Sequence, residues 1–249
     1  MKHSVSIIKM DRTNKAYNAS VSLVKKEFIK IPDALHLFHN SERKQYEKLK
    51  YDRRKLNYIL GRFSAKLAVS KLSKKATLES IKIGAGVFGF PIVKGLKVKN
   101  IQVSITHCGS IGMSIAFKES HPMGIDIEEI NIDKEKAILS QITQKEIGLL
   151  KTLEINNISG FTALWCAKEA LAKIIKTGMM LDFVFLEIEE IKKEGTTFTA
   201  TFQHFGQYKA MCHVNENYAI AIVLPRKTNV DLTKVWTMFD TNVVDSIKL

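Results

Sequence analysis

Gly124-Ile125-Asp126-Ile127-Glu128 is the stretch that decides the fold, because its alternation of apolar and acidic residues predicts a half-buried strand. The isoleucines would face a core, and the two acids would share the other face with side-chain bases roughly 6–7 Å apart. Carboxylates at that spacing can converge on one hard cation. The glycine would let another backbone or a ligand approach closely. Taken alone, so short a pattern is more typical of a surface strand with two solvated acids, and the interpretation depends on a second motif.

The second motif, Trp165-Cys166-Ala167-Lys168-Glu169-Ala170-Leu171-Ala172-Lys173, lies in a helix predicted from Phe161 to Lys176. Glu169 and Lys173 are one turn apart, so they can form a surface ion pair worth a few tenths of a kcal/mol. The alanines of this helix also permit close packing, which would bring Glu169 into the structure. A third carboxylate beside the two acids of the strand would complete an all-oxygen Mg²⁺ site, with water and substrate phosphate as the other ligands.

Composition and charge restrict the class of partner. The chain has 249 residues, of which 45% are hydrophobic and 25% charged, as in an ordinary soluble globular protein. Its formal net charge is +13. Such an excess predicts an acidic partner, which can be a nucleic acid, an anionic membrane, a polyphosphate ligand or an acidic protein.

The cysteines and the apolar runs indicate the compartment. The three cysteines, Cys108, Cys166 and Cys212, show neither disulfide nor zinc-ligand spacing and are predicted to be buried thiols. The start of the chain lacks the apolar core of a secretory signal. The longest apolar run, at 218–224, is far too short to cross a membrane. We therefore expect a cytoplasmic protein.

The remaining pattern predicts two similar halves. Each half is a helical stretch followed by strands: helices within 41–72 and 134–177, and strands within 80–128 and 183–224. We therefore expect an α/β (α+β) fold in two lobes, each with a small sheet packed on a long helix. The boundaries would be 1–122 for the N-terminal lobe and 123–249 for the C-terminal lobe.

Several elements are predicted individually. Strands are expected at 2–9, 21–31, 101–105, 112–117, 183–191, 196–204, 207–214 and 218–224, with Asn215-Glu216-Asn217 as a hairpin turn between the last two. Thr143-Gln144-Lys145-Glu146 has the pattern of a capping box that begins a helix through about Leu153. The final 25 residues are poorly patterned.

Other candidates for ligand contacts lie upstream of the acidic strand. Basic residues are dense in the first helical stretch: Arg53, Arg54, Lys55, Arg62, Lys66 and Lys71. They can be the solvated face of an amphipathic helix or a surface that binds phosphates. Thr106-His107-Cys108-Gly109-Ser110 predicts a polar turn with a histidine at a strand end. A histidine there is more often structural, but its position just before the acidic strand favours a ligand contact.

These segments together resemble the signature motifs of the Sfp-type 4′-phosphopantetheinyl transferases. GIDIE at 124–128 and WCAKEALAK at 165–173 are similar to the family's G-x-D-x-E and W-x-x-K-E-A-x-x-K. SITHCGS at 104–110 resembles its S-x-S-H-S segment, and YILGRFSAK at 58–66 its helix with a loose G-R-x-x-x-K/R pattern. The matches follow the family's order across about half of the chain. The chain departs from the family at Gly89-Phe90-Pro91, where G-K-P is common.

The resemblance implies a role for the acids. Asp126, Glu128 and Glu169 would bind Mg²⁺, or Mn²⁺, since hard oxygen ligands accept either ion. Glu169 would also be the base for the attacking group, directly or through water. Lys173 would be the second catalytic residue.

The resemblance also implies contacts with coenzyme A. His107 and Lys173 would contact its phosphates, and Lys168 would support them. Arg54, with its neighbour Arg53, would contact the nucleotide 3′-phosphate.

The implied reaction is attack by a serine hydroxyl of an apo carrier protein on the β-phosphate of coenzyme A. It transfers 4′-phosphopantetheine and releases adenosine 3′,5′-bisphosphate, as in fatty-acid, polyketide or nonribosomal-peptide synthesis. The length of the chain resembles the family's monomeric members, whose two lobes are related by a pseudo-twofold axis with the active site at their interface.

The implied partner is an acidic acyl or peptidyl carrier protein, which the charge of +13 suits. Docking of such a carrier usually involves an apolar patch as well. Met179, Met180 and Leu181, which follow the long helix, can supply such a patch or can be ordinary core residues.

Two other functions compete with this interpretation. A nucleic-acid-binding module would explain the charge, but it would need exposed aromatics among the basic residues, and aromatics are only 8% of the chain. Another Mg²⁺-dependent phosphoryl or nucleotidyl transferase would explain the acids. No P-loop or kinase-type sequence is present, which counts against the commonest members of that class.

Overall fold

The computed structural model describes residues 3–13, 15–74, 76–97, 100–153, 155, 157–177 and 180–243. The chain divides into two compact units. The first comprises the residues up to Pro122 together with those from Thr228 onward, and the second runs from Met123 to Lys227. The last part of the chain thus groups with the first unit, whereas the sequence pattern placed it in a C-terminal lobe. Within the described residues, no helix has the length and apolarity needed to span a bilayer.

The strands, in chain order, are β1 (His3–Arg12), β2 (Lys15–Lys25), β3 (Lys82–Ala85), β4 (Pro91–Lys94), β5 (Ile101–Cys108), β6 (Ile111–Lys118), β7 (Gly124–Glu129), β8 (Ile188–Glu194), β9 (Thr197–Phe202), β10 (Tyr208–Val214), β11 (Tyr218–Pro225) and β12 (Asn229–Val230). The helices are α1 (Ile31–His36), α2 (Asn40–Glu47), α3 (Asp52–Ser73), α4 (Glu135–Leu139), α5 (Gln144–Thr152), α6 (Ile158–Ile175) and α7 (Thr233–Val243). Both units combine an antiparallel sheet with helices, which confirms the predicted mixed α/β class.

In the first unit the strands pair in the order β12-β1-β2-β6-β5, and β3 pairs with β4 in a separate hairpin. Helix α3 lies against this sheet. The hydroxyl of Ser22 donates to the carbonyl of Ser64 at 2.6 Å, which joins β2 to the helix. Gly112 of β6 permits the close contact, because a Cβ there would lie 2.8 Å from backbone atoms of Leu60.

In the second unit the strands pair in the order β7-β11-β10-β9-β8, and helix α6 packs on the sheet. The alanines that the sequence analysis singled out in α6 are all buried: Ala163, Ala167, Ala170 and Ala172. Leu164 and Leu171 are buried beside them. Burial of a leucine side chain contributes about 1.5–3 kcal/mol each, so the apolar face of α6 holds this unit together.

Two predicted elements are confirmed closely. Thr143 caps α5, its backbone N–H donates to Glu146 at 2.7 Å, and the reciprocal bond of the capping box is present. Asn215 lies between β10 and β11 and accepts from the backbone of Tyr218 at 2.9 Å, as a hairpin turn requires. Both features are local in sequence, so the pattern was sufficient to find them.

Other elements differ from the prediction. The helical stretch 41–72 is broken into α2 and α3, because Tyr51 adopts an extended conformation before Asp52 begins the second helix. The strand expected from residue 183 begins instead as a 3₁₀ turn, Phe183–Leu186, which Asp182 caps by accepting from Val184 N–H at 3.1 Å. Helix α7 was missed altogether. Its buried residues, Val235, Trp236, Phe239 and Val243, recur at helical spacing.

Candidate functional site

Strand β7 presents Asp126 and Glu128 on one face of the second unit's sheet. In the register with β11, both acids lie opposite alanines, whose methyl groups leave space beside them. The isoleucines of β7 are fully buried. The side chain of Asp126 is 7% exposed and that of Glu128 is 30% exposed. The alternation in the sequence therefore places one acid inside the protein and the other at its margin.

Helix α6 lies directly against β7 because Gly124 has no side chain. A Cβ at Gly124 would lie 2.0 Å from the carbonyl oxygen of Ala170. This close approach lets the ammonium of Lys173 reach Asp126 Oδ1 at 2.6 Å and the carbonyl oxygen of Ile125 at 2.9 Å. The two sequence motifs therefore meet within one unit.

A second lysine lies beside the other acid of β7. Lys134, in the short 3₁₀ turn after the strand, donates to Glu128 Oε2 at 3.3 Å. Both residues are partly exposed, so this pair contributes less than about 1 kcal/mol to stability.

The carboxylates of Asp126, Glu128 and Glu169 repel one another. The pKa of Glu169 is raised to about 6, by burial first and then by the charges of Asp126 and Glu128, while the charge of Lys173 opposes the rise. Burial and the charge of Asp126 also raise the pKa of Glu128. The buried thiol of Cys166 has a raised pKa, through burial first and then through the same two β7 acids. A cation placed among the carboxylates would relieve this repulsion.

The donor set fits a hard divalent cation, because carboxylate oxygens are the ligands that Mg²⁺ and Mn²⁺ prefer. In the part of the chain that the structure describes, however, no three His, Cys, Asp or Glu side chains lie close enough to hold one ion together. Lys173 supplies the positive charge beside Asp126. Sharing one ion would therefore require the carboxylates of Asp126, Glu128 and Glu169 to draw together.

The structure gives Lys168 a different role from the one that the resemblance implied. Its side chain is completely buried, and its ammonium lies 2.8 Å from Glu146 Oε2. Burial lowers the pKa of Lys168, and the charge of Glu146 opposes that shift. An ammonium enclosed in this way is not available to the phosphates of a ligand.

The first unit holds the other two candidates. His107 is exposed and lies within β5, opposite Gly112, because the strand continues to Cys108 and the expected turn starts only afterwards. Arg54 is exposed near the start of α3, with its guanidinium 5.8 Å from the ring centre of Tyr51. Contacts of these two residues with coenzyme A remain predictions.

The sequence predicted the capping role of Glu146 but not its ion pair with Lys168. The capping-box pattern identified it as the third residue of a helix, and it fulfils that local role. Its pairing with Lys168 joins two segments of the chain that no local pattern connects. One signal in the sequence could have indicated this ion pair. A glutamate at a predicted helix cap precedes a long apolar helix that has a lysine near its centre.

Comparison with known proteins places these residues in a recognised region. A family model described as the 4′-phosphopantetheinyl transferase superfamily matches residues 122–223. A holo-[acyl-carrier-protein] synthase of Nautilia profundicola is 35% identical over 114 residues, which cover 96% of that protein and 41% of this chain. The matched range of the family model contains the strand with Asp126 and Glu128 and the helix with Glu169 and Lys173.

Solved structures are similar at lower identity. A holo-(acyl-carrier-protein) synthase from Bacillus anthracis, in complex with CoA (3′,5′-ADP), is 20% identical with a TM-score of 0.36, over 45% of this chain and 97% of that chain. The Thermotoga maritima holo-[acyl-carrier-protein] synthase is 17% identical with a TM-score of 0.35, over 50% of this chain and 70% of that chain.

Proposed function

The chain belongs to the 4′-phosphopantetheinyl transferase superfamily, and from that premise we propose that it transfers 4′-phosphopantetheine from coenzyme A to a serine of an apo carrier protein. Adenosine 3′,5′-bisphosphate would be the leaving product. The observation that carries this proposal is the meeting of Lys173 with Asp126 at 2.6 Å, beside two further acids with raised pKa values.

Glu169 is the proposed base. Its pKa of about 6 leaves it mostly ionised near neutral pH, and it is a stronger base than an ordinary glutamate. It would accept the serine proton as the serine oxygen forms a bond to the β-phosphorus. The bond from that phosphorus to the bridging oxygen of the diphosphate breaks, and the electron pair leaves with the nucleotide.

Lys173 is proposed to stabilise the negative charge of the coenzyme A diphosphate. Its side chain is 26% exposed while its ammonium is bonded to Asp126, so the lysine is fixed by the protein without being fully enclosed. A fixed cation beside a diphosphate stabilises the negative charge that gathers on the leaving oxygen.

Asp126, Glu128 and Glu169 are the proposed ligands of Mg²⁺, with Mn²⁺ as an alternative ion. When bound there, the ion would neutralise the diphosphate and make its phosphorus easier to attack. Without it, the three carboxylates would repel the same diphosphate, so Lys173 alone would not be enough.

The chain is proposed to be of the Sfp type and to act as a monomer. The match to the Nautilia synthase covers 96% of that protein but only 41% of this chain. The remainder includes another unit in which a sheet again packs on a long helix. His107 and Arg54 of that unit are the proposed contacts to coenzyme A phosphates. Sedimentation at micromolar concentration would report the mass of a single chain if the monomer is correct.

The direct test of function is incubation with coenzyme A, Mg²⁺ and apo carrier proteins of the fatty-acid, polyketide and peptide classes. Intact mass spectrometry should show the addition of one phosphopantetheine to at least one carrier, and none when a chelator replaces Mg²⁺. Absence of the adduct on every carrier would overturn the proposal.

We expect protons to compete with the metal. Because the pKa of Glu169 is raised to about 6, lowering the pH to 5 protonates most of this carboxylate, which then binds cations poorly. The apparent affinity for Mn²⁺ should fall by about tenfold between pH 7.5 and pH 5. Electron paramagnetic resonance of free Mn²⁺ measures this directly. Equal affinities at the two pH values would remove Glu169 from the ion's ligands.

The carrier is proposed to dock on exposed apolar residues that follow α6. Met180, Val184 and Phe185 are 68%, 54% and 56% exposed. Of the three residues suggested by the sequence, Met179 lies outside the described residues, and Leu181 is only partly exposed. The excess positive charge of the chain would draw an acidic carrier toward this surface.

Replacement of Phe185 by serine should therefore raise KM for the carrier about fivefold or more, without changing KM for coenzyme A. Phe88 offers a matched control, since it is 62% exposed in the β3–β4 hairpin of the other unit. Phe88→Ser should leave both constants unchanged. Equal effects of the two substitutions on the carrier would contradict docking after α6.

A further inference from the structure

The second unit contains a buried ion pair whose geometry holds helix α6. Lys168 Nζ lies 2.8 Å from Glu146 Oε2 and donates to the carbonyl of Gln141 at 2.8 Å. Glu146 Oε2 also accepts from Thr143 N–H at 2.7 Å, and its Oε1 accepts from Ile188 N–H at 2.8 Å. The pair thus joins the middle of α6 to the start of α5 and to β8. Lys168 and Glu146 are called the second-unit clamp below.

The first unit contains a similar buried ion pair, although its lysine donates to the carbonyls of Leu78 and Ile81 before β3 and not to one before the capped helix. Lys66 Nζ in the middle of α3 lies 2.9 Å from Glu42 Oε2. Glu42 Oε2 accepts from His39 N–H at 2.8 Å, as a capping box requires, and its Oε1 accepts from Ile83 N–H at 3.0 Å in β3. Both side chains are buried, so Lys66 does not belong to a phosphate-binding surface. Lys66 and Glu42 are called the first-unit clamp.

The two clamps differ in what the held helix carries. The residue after Lys66 is Leu67, which is buried in the apolar core of the first unit. The residue after Lys168 is Glu169, whose charge interacts with those of Asp126 and Glu128. A buried ion pair therefore holds a helix in each unit. The residue that follows the lysine is apolar in the first unit and acidic in the second.

The second-unit clamp opposes rotation of α6. It reaches β8 through Ile188, whereas Lys173 reaches Asp126 of β7, and these strands lie at opposite ends of the order β7-β11-β10-β9-β8. A roll of about 20° would move side-chain atoms near the helix surface by about 2 Å. Groups that act together on one ion or substrate need to be held within about 0.5 Å.

We propose that Lys168 and Glu146 are positioning residues that set the rotation of α6, so that Glu169 and Lys173 face the acids of β7. They touch neither substrate nor ion and act only through the helix. The inference rests on the proposed function for its catalytic consequence, but its structural part is independent of it.

The test compares two double variants that make the same chemical change. Lys168→Met with Glu146→Gln removes both charges of the second-unit clamp and keeps one acceptor for Ile188. Lys66→Met with Glu42→Gln does the same in the first unit. Pairwise replacement is necessary because removal of one partner leaves an unpaired buried charge, which strongly destabilises a protein.

The measured quantities are the melting temperature, the affinity of the purified protein for Mn²⁺ at 20 °C, and kcat and KM for coenzyme A. The second-unit variant should bind Mn²⁺ at least fivefold more weakly and lose kcat at least tenfold, with KM for coenzyme A within threefold. The first-unit variant should show a similar shift in melting temperature to the second-unit variant. Its Mn²⁺ affinity should stay within twofold of that of the wild-type protein.

Equal losses of Mn²⁺ affinity in both variants would mean that the clamps act only through overall stability, and would overturn the proposal. Unchanged affinity and kcat in a folded second-unit variant would also overturn it. If the wild-type protein binds Mn²⁺ and transfers nothing, the proposed function fails, and the comparison of affinities still decides whether the clamp positions α6.

Discussion

Replacement of Glu169 by glutamine is expected to reduce phosphopantetheine transfer by about 10²–10⁴-fold, the usual consequence of removing a general base. The same substitution should make the metal-free protein more stable. Glutamine has nearly the shape of glutamate, so the packing of α6 is retained while a base and an anionic ligand are lost. A loss of activity together with a gain in stability separates a functional group from a structural one.

The gain in stability follows from the raised pKa of Glu169, which is about 6 compared with an ordinary value of 4.5. The folded protein therefore disfavours the ionised carboxylate. The resulting penalty is absent below about pH 4.5, grows as the pH rises through 6, and is complete above it. A shift of this size corresponds to at most about 2 kcal/mol. Because the side chain is partly exposed, we expect about 1 kcal/mol, or roughly 2–4 °C in Tm.

The measurements are intact-mass kinetics and thermal unfolding in a chelator at pH 5 and pH 7.5. Glu129→Gln is the matched control, since Glu129 is the exposed acid of β7 that follows Glu128. It should change neither turnover nor Tm. Near-normal turnover of Glu169→Gln would remove this residue from the chemistry, and a lower Tm at pH 7.5 would contradict the repulsion among the acids.

Replacement of Gly124 by alanine is expected to have the largest effect on the fold. The added Cβ would lie 2.0 Å from the carbonyl oxygen of Ala170, and 2.8 Å from its carbonyl carbon. Both are backbone atoms, so α6 or β7 must shift as a whole. We expect a loss of about 3 kcal/mol or more in unfolding free energy, at the upper end of the usual cost of overpacking. Any protein that folds should be inactive, because the shift separates Lys173 from Asp126.

Gly148 provides the control for this substitution. It lies in α5 and is exposed, and a Cβ at this position would meet nothing within 4 Å. Gly148→Ala should therefore stabilise the protein by about 0.5–1 kcal/mol through helix propensity. Urea unfolding of the two variants measures the difference. A Gly124→Ala protein with wild-type stability and turnover would show that α6 does not pack against β7 as described.

The sequence predicted those parts of the fold whose causes are local. The alternation in β7, the apolar face of α6 and the capping box of Thr143 and Glu146 each depend on residues within a few turns of one another. Such patterns identify an element and the face that it buries.

The features that the sequence did not predict depend on contacts between residues that are far apart in the chain. Lys66 and Lys168 belong to patterns typical of a solvated or phosphate-binding face, but each is buried because a capping glutamate from another segment neutralises it. Helix α7 was missed for a related reason. Its apolar face is short, and its grouping with the first unit follows from tertiary contacts.

The sequence suggested which residues would form the candidate site, but it did not predict the hydrogen bonds that they make in the structure. The sequence indicated that the acids of β7 and α6 would belong together, and Lys173 was expected to face a ligand phosphate. In the structure it bonds to Asp126. The reason is electrostatic, since a lysine among three repelling acids finds its lowest energy beside the most buried one.

The central claim is that Asp126, Glu128 and Glu169 hold one cation against the diphosphate of coenzyme A. Anomalous diffraction from crystals grown with coenzyme A and Mn²⁺ tests it most directly. We predict an anomalous peak bounded by carboxylate oxygens of all three residues, with the diphosphate on its open side. A Mn²⁺ peak elsewhere on the chain, with these three carboxylates bound to no ion, would contradict the claim.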